Sequence, residues 1–255
     1  MEKDLTKGPV LKTMFLFALP MIWGNLLQQC YNIADTLIVG RVLGSNALGA
    51  VGSSFTLMTF ITSVLLGLCM GSGALFSIKF GQRDEKGFQN SVHGAFFLIA
   101  VVTVILNALV FLFIDEILIF LQVPSDTIAL MREYLVVIFW GIAATFLYSF
   151  FSCLLRSVGN SVVPLIYLGI SAVLNIGLDL LFVAIFKFGV AGAAWATVIS
   201  QYVSGIGIGI YALLKYPFLR KKFSFTFNSV KEVAGFSFLT CVQQSVMNFG
   251  ILMVQ

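Results

Sequence analysis

The chain has 255 residues, of which 59% are hydrophobic and 10% charged, with a formal net charge of +4. A soluble domain coats its surface with about 25% charged residues. Fifteen basic and eleven acidic residues are too few for that coat, which excludes an ordinary cytosolic enzyme, a disordered chain and a secreted disulfide scaffold. A polytopic membrane protein remains. Barrel strands alternate apolar and polar residues over about 10 positions. Here the apolar runs are unbroken: residues 90–114 hold no formal charge apart from the titratable His93, and residues 157–186 hold one. Runs of that length read as helices, giving an all-α polytopic membrane fold.

In chain order, a polar arm at residues 1–12 precedes a first span at 13–39, too long for a signal-peptide core and so read as retained. Asn25, Gln28, Asn32 and Asp35 are spaced 3, 4 and 3, which places them on one helical face. A polar stripe facing lipid is costly, so this face looks into protein or water, either as interhelical hydrogen bonding or as the wall of a polar cavity. Pro20, in the same span, favours a bend and is a candidate hinge. The second span, 47–78, contains Gly67 and Gly71 in a GxxxG pattern that permits close helix packing. The third occupies 90–114, with His93 near its end as a bystander.

The linker at 115–133 carries Asp115, Glu116, Asp126 and Glu133 against the single Arg132 and is apolar in its middle, so it reads as lying along the interface. The fourth span occupies 134–155 and the fifth 162–186. On the fifth, Ser171, Asn175 and Asp179 follow at i, i+4 and i+8 along one line. An amide beside a carboxyl group donates to its ionised form or accepts from its protonated form, a fitting environment for a titrating site. The sixth span, 190–214, presents Thr197, Gln201 and Ser204 on one face and a second GxxxG at Gly205 and Gly209.

The seventh segment, 233–255, echoes the first. Phe236-Ser237-Phe238 parallels Phe17-Ala18-Leu19, and each is followed by a glutamine pair, Gln243-Gln244 and Gln28-Gln29. The glutamine pairs stand at unequal offsets, so the echo is weak by itself; with the apolar run reaching residue 255 it suggests the start of a second repeat, and six spans per half is a known transporter plan. The expected organisation is therefore a six-helix lobe over residues 1–225 and an incomplete second lobe over 226–255, with the missing part in the same full-length chain.

Charge sets the expected orientation. With the N-terminus inside, 12 of the 15 basic residues fall on the cytoplasmic side, and only Arg41, Arg132 and Lys187 fall outside. Two acids, Asp35 and Asp179, lie within apolar spans. A carboxylate at membrane depth costs a few kcal/mol and marks a functional site by default. Asp35 lies six residues before Arg41 and Asp179 eight before Lys187, roughly 9 and 12 Å below the outer surface at the helical rise. Similar depths permit one shared chamber.

The four cysteines, Cys30, Cys69, Cys153 and Cys241, are widely spaced in apolar segments and form neither a zinc nor a disulfide pattern. No phosphate loop, HExxH or GxSxG is present, and no basic block suggests nucleic acid. Active transport without a resident cofactor would draw on an ion gradient.

These residues resemble the multidrug and toxic compound extrusion (MATE) transporters. The likeness rests on Leu19-Pro20-Met21, Asn32-Ile33-Ala34-Asp35-Thr36 and Val39-Gly40-Arg41 in the first span. It continues in Arg156-Ser157-Val158-Gly159-Asn160 through Pro164, Asn175-Ile176-Gly177-Leu178-Asp179, and Gly189-Val190-Ala191-Gly192-Ala193-Ala194 with Ala196-Thr197. The resemblance implies half of a twelve-helix, two-lobe transporter in the bacterial inner membrane. It implies export of cationic or amphipathic compounds in exchange for protons or sodium. It also implies a cation-coupling site at Asp35, Asn175 and Asp179, with Tyr134 and Thr197 in the same cluster and a possible sodium ion held by the two acids. Asn25, Gln28, Asn32 and Gln201 are the further polar candidates. A lipid-linked oligosaccharide flippase of the same superfamily is the alternative, disfavoured because no span centre carries Lys or Arg. An intramembrane aspartyl enzyme lacks any supporting motif.

Overall fold

The computed structural model describes residues 10–120, 123, 127–220 and 226–254. Among these the regular elements are all helical: α1 (Val10–Leu43), α2 (Ser45–Gly81), α3 (Glu85–Leu112), α4 (Ile114–Phe120), α5 (Ile128–Ile138), α6 (Ile142–Ser157), α7 (Val162–Asp179), α8 (Gly189–Lys215) and α9 (Phe227–Val254). A 3₁₀ turn, Phe139–Gly141, joins α5 to α6, and α7 runs on into a π-helical segment, Leu180–Ile185.

Five of these units are long and apolar enough to cross a membrane: α2, α3, α5 with α6, α7 with its π segment, and α8. The sequence reading expects seven spans. α1 and α9, at 34 and 28 residues, are long enough to be the other two. The fourth span also starts earlier than expected, at Ile128, because the helix continues through Arg132 and Glu133.

Tight turns connect the helices. Gly44, at φ 89°, turns the chain between α1 and α2, a left-handed backbone that glycine takes without strain. Asp84 caps α3 by accepting from the Gly87 N–H at 2.9 Å. α4 lies between spans and is tied to α5 by a 2.8 Å ion pair from Arg132 Nε to Asp115 Oδ1.

The core sits between α2, α3, α6 and α8. Phe76 and Phe96 meet Phe150 edge-on at centroid distances of 6.1 and 5.2 Å, and Phe76 also meets Phe88. Such tilted ring pairs interlock and contribute beyond their buried area. α8 packs onto α6 through its glycines: a Cβ on Gly205 would stand 2.9 Å from the Ala144 carbonyl oxygen, and one on Gly209 would stand 2.9 Å from the Phe151 ring.

The 3₁₀ turn frees backbone carbonyls, which are costly in a membrane unless bonded. Three consecutive carbonyls there receive side-chain donors. Asn107 Nδ2 donates to Phe139 at 2.8 Å, Tyr202 Oη to Trp140 at 2.9 Å, and Thr145 Oγ1 to Gly141 at 3.1 Å.

Candidate functional site

Asp179 is the last residue of α7 and is fully buried, as is Asn175 one turn before it. Oriented by its surroundings, the Asn175 amide donates to Asp179 Oδ2 at 2.9 Å and accepts from the Thr197 N–H and hydroxyl, both at 3.2 Å. The sequence therefore places an acid, an amide and a hydroxyl in one chain that bridges α7 and α8. The Tyr31 hydroxyl of α1 faces Thr197.

α1 runs beside α7 and brings Asp35 to the same point. Its carboxyl group lies within hydrogen-bond reach of the Asp179 carboxyl group. Tyr134 of α5 is buried near enough to Asp35, Tyr31 and Asp179 to feel their charge. Five of the residues singled out from sequence, Asp35, Asn175, Asp179, Tyr134 and Thr197, are thus brought together from four helices.

Two carboxyl groups in hydrogen-bond reach, one of them fully buried, repel when both are ionised, which favours a proton or cation between them. Asp35 Oδ1 and Asp179 Oδ1 are each buried without a hydrogen-bond partner. Those two oxygens are the acceptors to which a proton or a small cation would go.

The remaining candidates lie elsewhere. Asn25 and Gln28 are exposed, and no hydrogen bond joins them to the acids. Asn32 spends its amide N–H on Gln29 Oε1 at 3.2 Å. Gln201 Oε1 accepts from Thr145 at 3.1 Å, bracing α8 against α6 rather than entering the acid cluster. Pro20 sits inside α1, which continues through it.

The residue that the sequence reading leaves undecided is Tyr31. Its signal is present in the sequence: Tyr31 and Asp35 are i and i+4, neighbours on a helix. The π-helical segment that begins one residue after Asp179 is not foreshadowed. There the Phe186 N–H bonds the Leu181 carbonyl at 2.9 Å, one residue beyond α-helical register.

The fold is that of half of a helical membrane transporter. A family model described as MatE matches residues 20–181, more than half of the sequence, and the chain belongs to this family. The probable multidrug resistance protein YpnP of Bacillus subtilis is 34% identical over 213 residues, covering 84% of this chain and 48% of that protein. The probable multidrug resistance protein NorM of Thermotoga maritima is 31% identical, covering 95% of this chain and 53% of its own length. Among solved structures, a MOP-superfamily transporter from Pyrococcus furiosus superposes with a TM-score of 0.87 at 25% identity, covering 97% of this chain and 56% of that one. The chain spans about half the length of the curated relatives it matches. The family consists of transporters, not enzymes.

Proposed function

We propose that the chain is the first lobe of a two-lobe multidrug efflux transporter that exports cationic or amphipathic compounds in exchange for protons or sodium. The observation that carries this reading is the meeting of Asp35 and Asp179, each with a buried, unpartnered oxygen. When a cation occupies the pair, it bridges the two carboxyl groups and α1 stays against α7. When the cation leaves, like charges in a dry site repel. A cationic substrate can then replace the lost charge, so ion and substrate exclude one another. Pro20, between the site and one end of α1, is the place where that helix would absorb the motion. The charge distribution supports an inner-membrane topology with a cytoplasmic N-terminus.

The same site argues against a flippase that holds a pyrophosphate, because its charged groups are acids. The test is efflux of a cationic dye from vesicles carrying the full-length transporter under an imposed proton or sodium gradient. Wild type is expected to respond to one gradient, and Asp35→Asn or Asp179→Asn to neither. Undiminished, gradient-dependent efflux from both variants would refute the coupling role.

A further inference from the structure

Buried hydroxyl groups in these helices spend their protons one turn back: Ser54 on the Ala50 carbonyl, Ser72 on Leu68 and Thr103 on Ile99, each at 2.7 Å. Ser152 of α6 departs from this. It is 3% exposed, and its Oγ bonds nothing, although the Tyr148 hydroxyl lies beside it. Tyr148 has given its own proton to the Pro164 carbonyl at 3.1 Å, which braces α6 against α7. One turn beyond Ser152, Arg156 is half-buried, with its Nε shut from solvent and equally without a partner. Residues 148, 152 and 156 are spaced by four, so the three side chains form one line toward the α6–α7 turn.

Two ordinary reasons for an arginine at a helix end fail here. The first is capping. The last carbonyls of α6 are already taken: Leu154 by Ser157 Oγ at 2.7 Å, Leu155 by the Asn160 N–H at 2.9 Å and Arg156 by the Gly159 N–H at 3.0 Å. The second is an internal ion pair. Among the described residues no acid pairs with Arg156. At the α2–α3 turn, Glu232 is taken by Lys79 at 3.1 Å, and Asp84 accepts from the Gly87 N–H.

A buried donor left unpaired costs about 1–3 kcal/mol, and more where it is charged. Two such donors, one turn apart on one line, face an acceptor that this half of the protein does not supply. The edge of a guanidinium group presents two parallel N–H groups, a fork that fits an oxyanion, and Ser152 adds an O–H deeper along the helix. On the orientation read from charge, Arg156 stands on the side that holds 12 of the 15 basic residues, and the leaflet there carries anionic headgroups.

We propose that Ser152 and Arg156 form a binding site for a phosphate group, of the kind carried by the headgroup of an anionic lipid. Arg156 recognises the charge, and Ser152 bonds an oxygen of the same group. The site lies at the start of α7, whereas Asp179 ends that helix, so it is separate from the acid pair. It does not depend on which ion or substrate the transporter carries.

The experiment is lipid binding to the full-length transporter, purified in detergent, incubated with phosphatidylglycerol or phosphatidylcholine and read by native mass spectrometry. Wild type is expected to retain the first phosphatidylglycerol in preference to phosphatidylcholine. Arg156→Gln should weaken that first binding about fivefold, the worth of one basic residue against an anionic headgroup. Ser152→Ala should weaken it less, and Lys215→Gln, a lysine on the same side, should leave it unchanged. Inorganic phosphate is the second arm: competition that is lost in Arg156→Gln supports the site with free phosphate as the ligand. Phosphatidylglycerol binding by Arg156→Gln equal to wild type, without any such competition, would overturn the proposal. So would a melting temperature that Arg156→Gln lowers equally with and without phosphatidylglycerol, since Arg156 then pairs with an acid of the second half. Where Arg156→Gln does not fold, Arg156→Lys decides, because it keeps the charge and loses the fork: binding as tight as wild type in both Arg156→Lys and Ser152→Ala would refute the site.

Discussion

α1 and α7 each bring one acid to the site, but they hold it differently. Asp179 is fully buried, and its carboxyl group is tied through Asn175 to Thr197 of α8. Asp35 sits on a helix whose neighbouring face is exposed, with Leu26, Ile33 and Leu37 each more than half accessible. The Asp179 carboxyl group is tethered to α8, whereas Asp35 is half-buried and meets Asp179 from α1. On the proposed reading, such a site senses a cation without dismantling its own scaffold, because only one partner needs to move.

The largest expected effect comes from removing the tethered acid. Asp179→Asn should lower dye efflux by at least tenfold and abolish its gradient dependence, while the protein still folds, because the isosteric amide keeps a partner for Asn175. An equal loss with a collapsed melting temperature would instead make Asp179 structural. Asn175→Ala leaves buried polar groups of Asp179 and Thr197 unpaired, a cost of about 1–3 kcal/mol. It should therefore lower thermal stability as well as efflux, whereas Asp35→Asn on α1 should lower efflux alone. Equal destabilisation by both would erase the distinction between the tethered and the untethered acid.

A third test sets a packing change within the lobe against a change in α1. Gly205→Val places side-chain atoms against the Ala144 carbonyl within the lobe, an overpacking cost of about 1–3 kcal/mol. It should reduce stability measured by thermal unfolding in detergent. Pro20→Ala restores an ordinary helix and should slow efflux with little change in stability, since the substitution stiffens α1 without disturbing α7. Unchanged efflux in that variant would remove the hinge.

The smallest effect concerns α4. The Arg132 hydrogen bond holds the Asp115 carboxyl group below the usual carboxylate range. A carboxyl group lowered in the folded state stabilises it above the ordinary range and loses that contribution as pH falls through the lowered value. Asp115 is fully exposed, so Arg132→Ala should change the melting temperature slightly at neutral pH, and the difference should vanish on acidification.

Much of this was legible in the sequence for identifiable reasons. Unbroken apolar runs place most of the helices, and the cost of burying charge isolates Asp35 and Asp179. Spacing of four links Asn175 to Asp179. The start of the fourth span was illegible because Arg132 and Glu133 interrupt its apolar run, while backbone hydrogen bonds carry the helix through them. Periodicity placed Asn25, Gln28, Asn32 and Asp35 on one face, but only Asp35 reaches the neighbouring helices closely enough to join the cluster. Tyr31 was hidden because its role needs Thr197, 166 positions away in the chain. The capped 3₁₀ turn is equally nonlocal, since its donors Asn107 and Tyr202 come from α3 and α8.

The central claim is that one cation and one cationic substrate compete through Asp35 and Asp179. The direct measurement is dye binding to the purified full-length transporter across a range of pH and of sodium concentration. Wild type should bind dye more weakly as the coupling cation rises, and Asp35→Asn and Asp179→Asn should lose that dependence. A wild-type affinity indifferent to both cations, or a dependence that survives in both variants, would contradict the account.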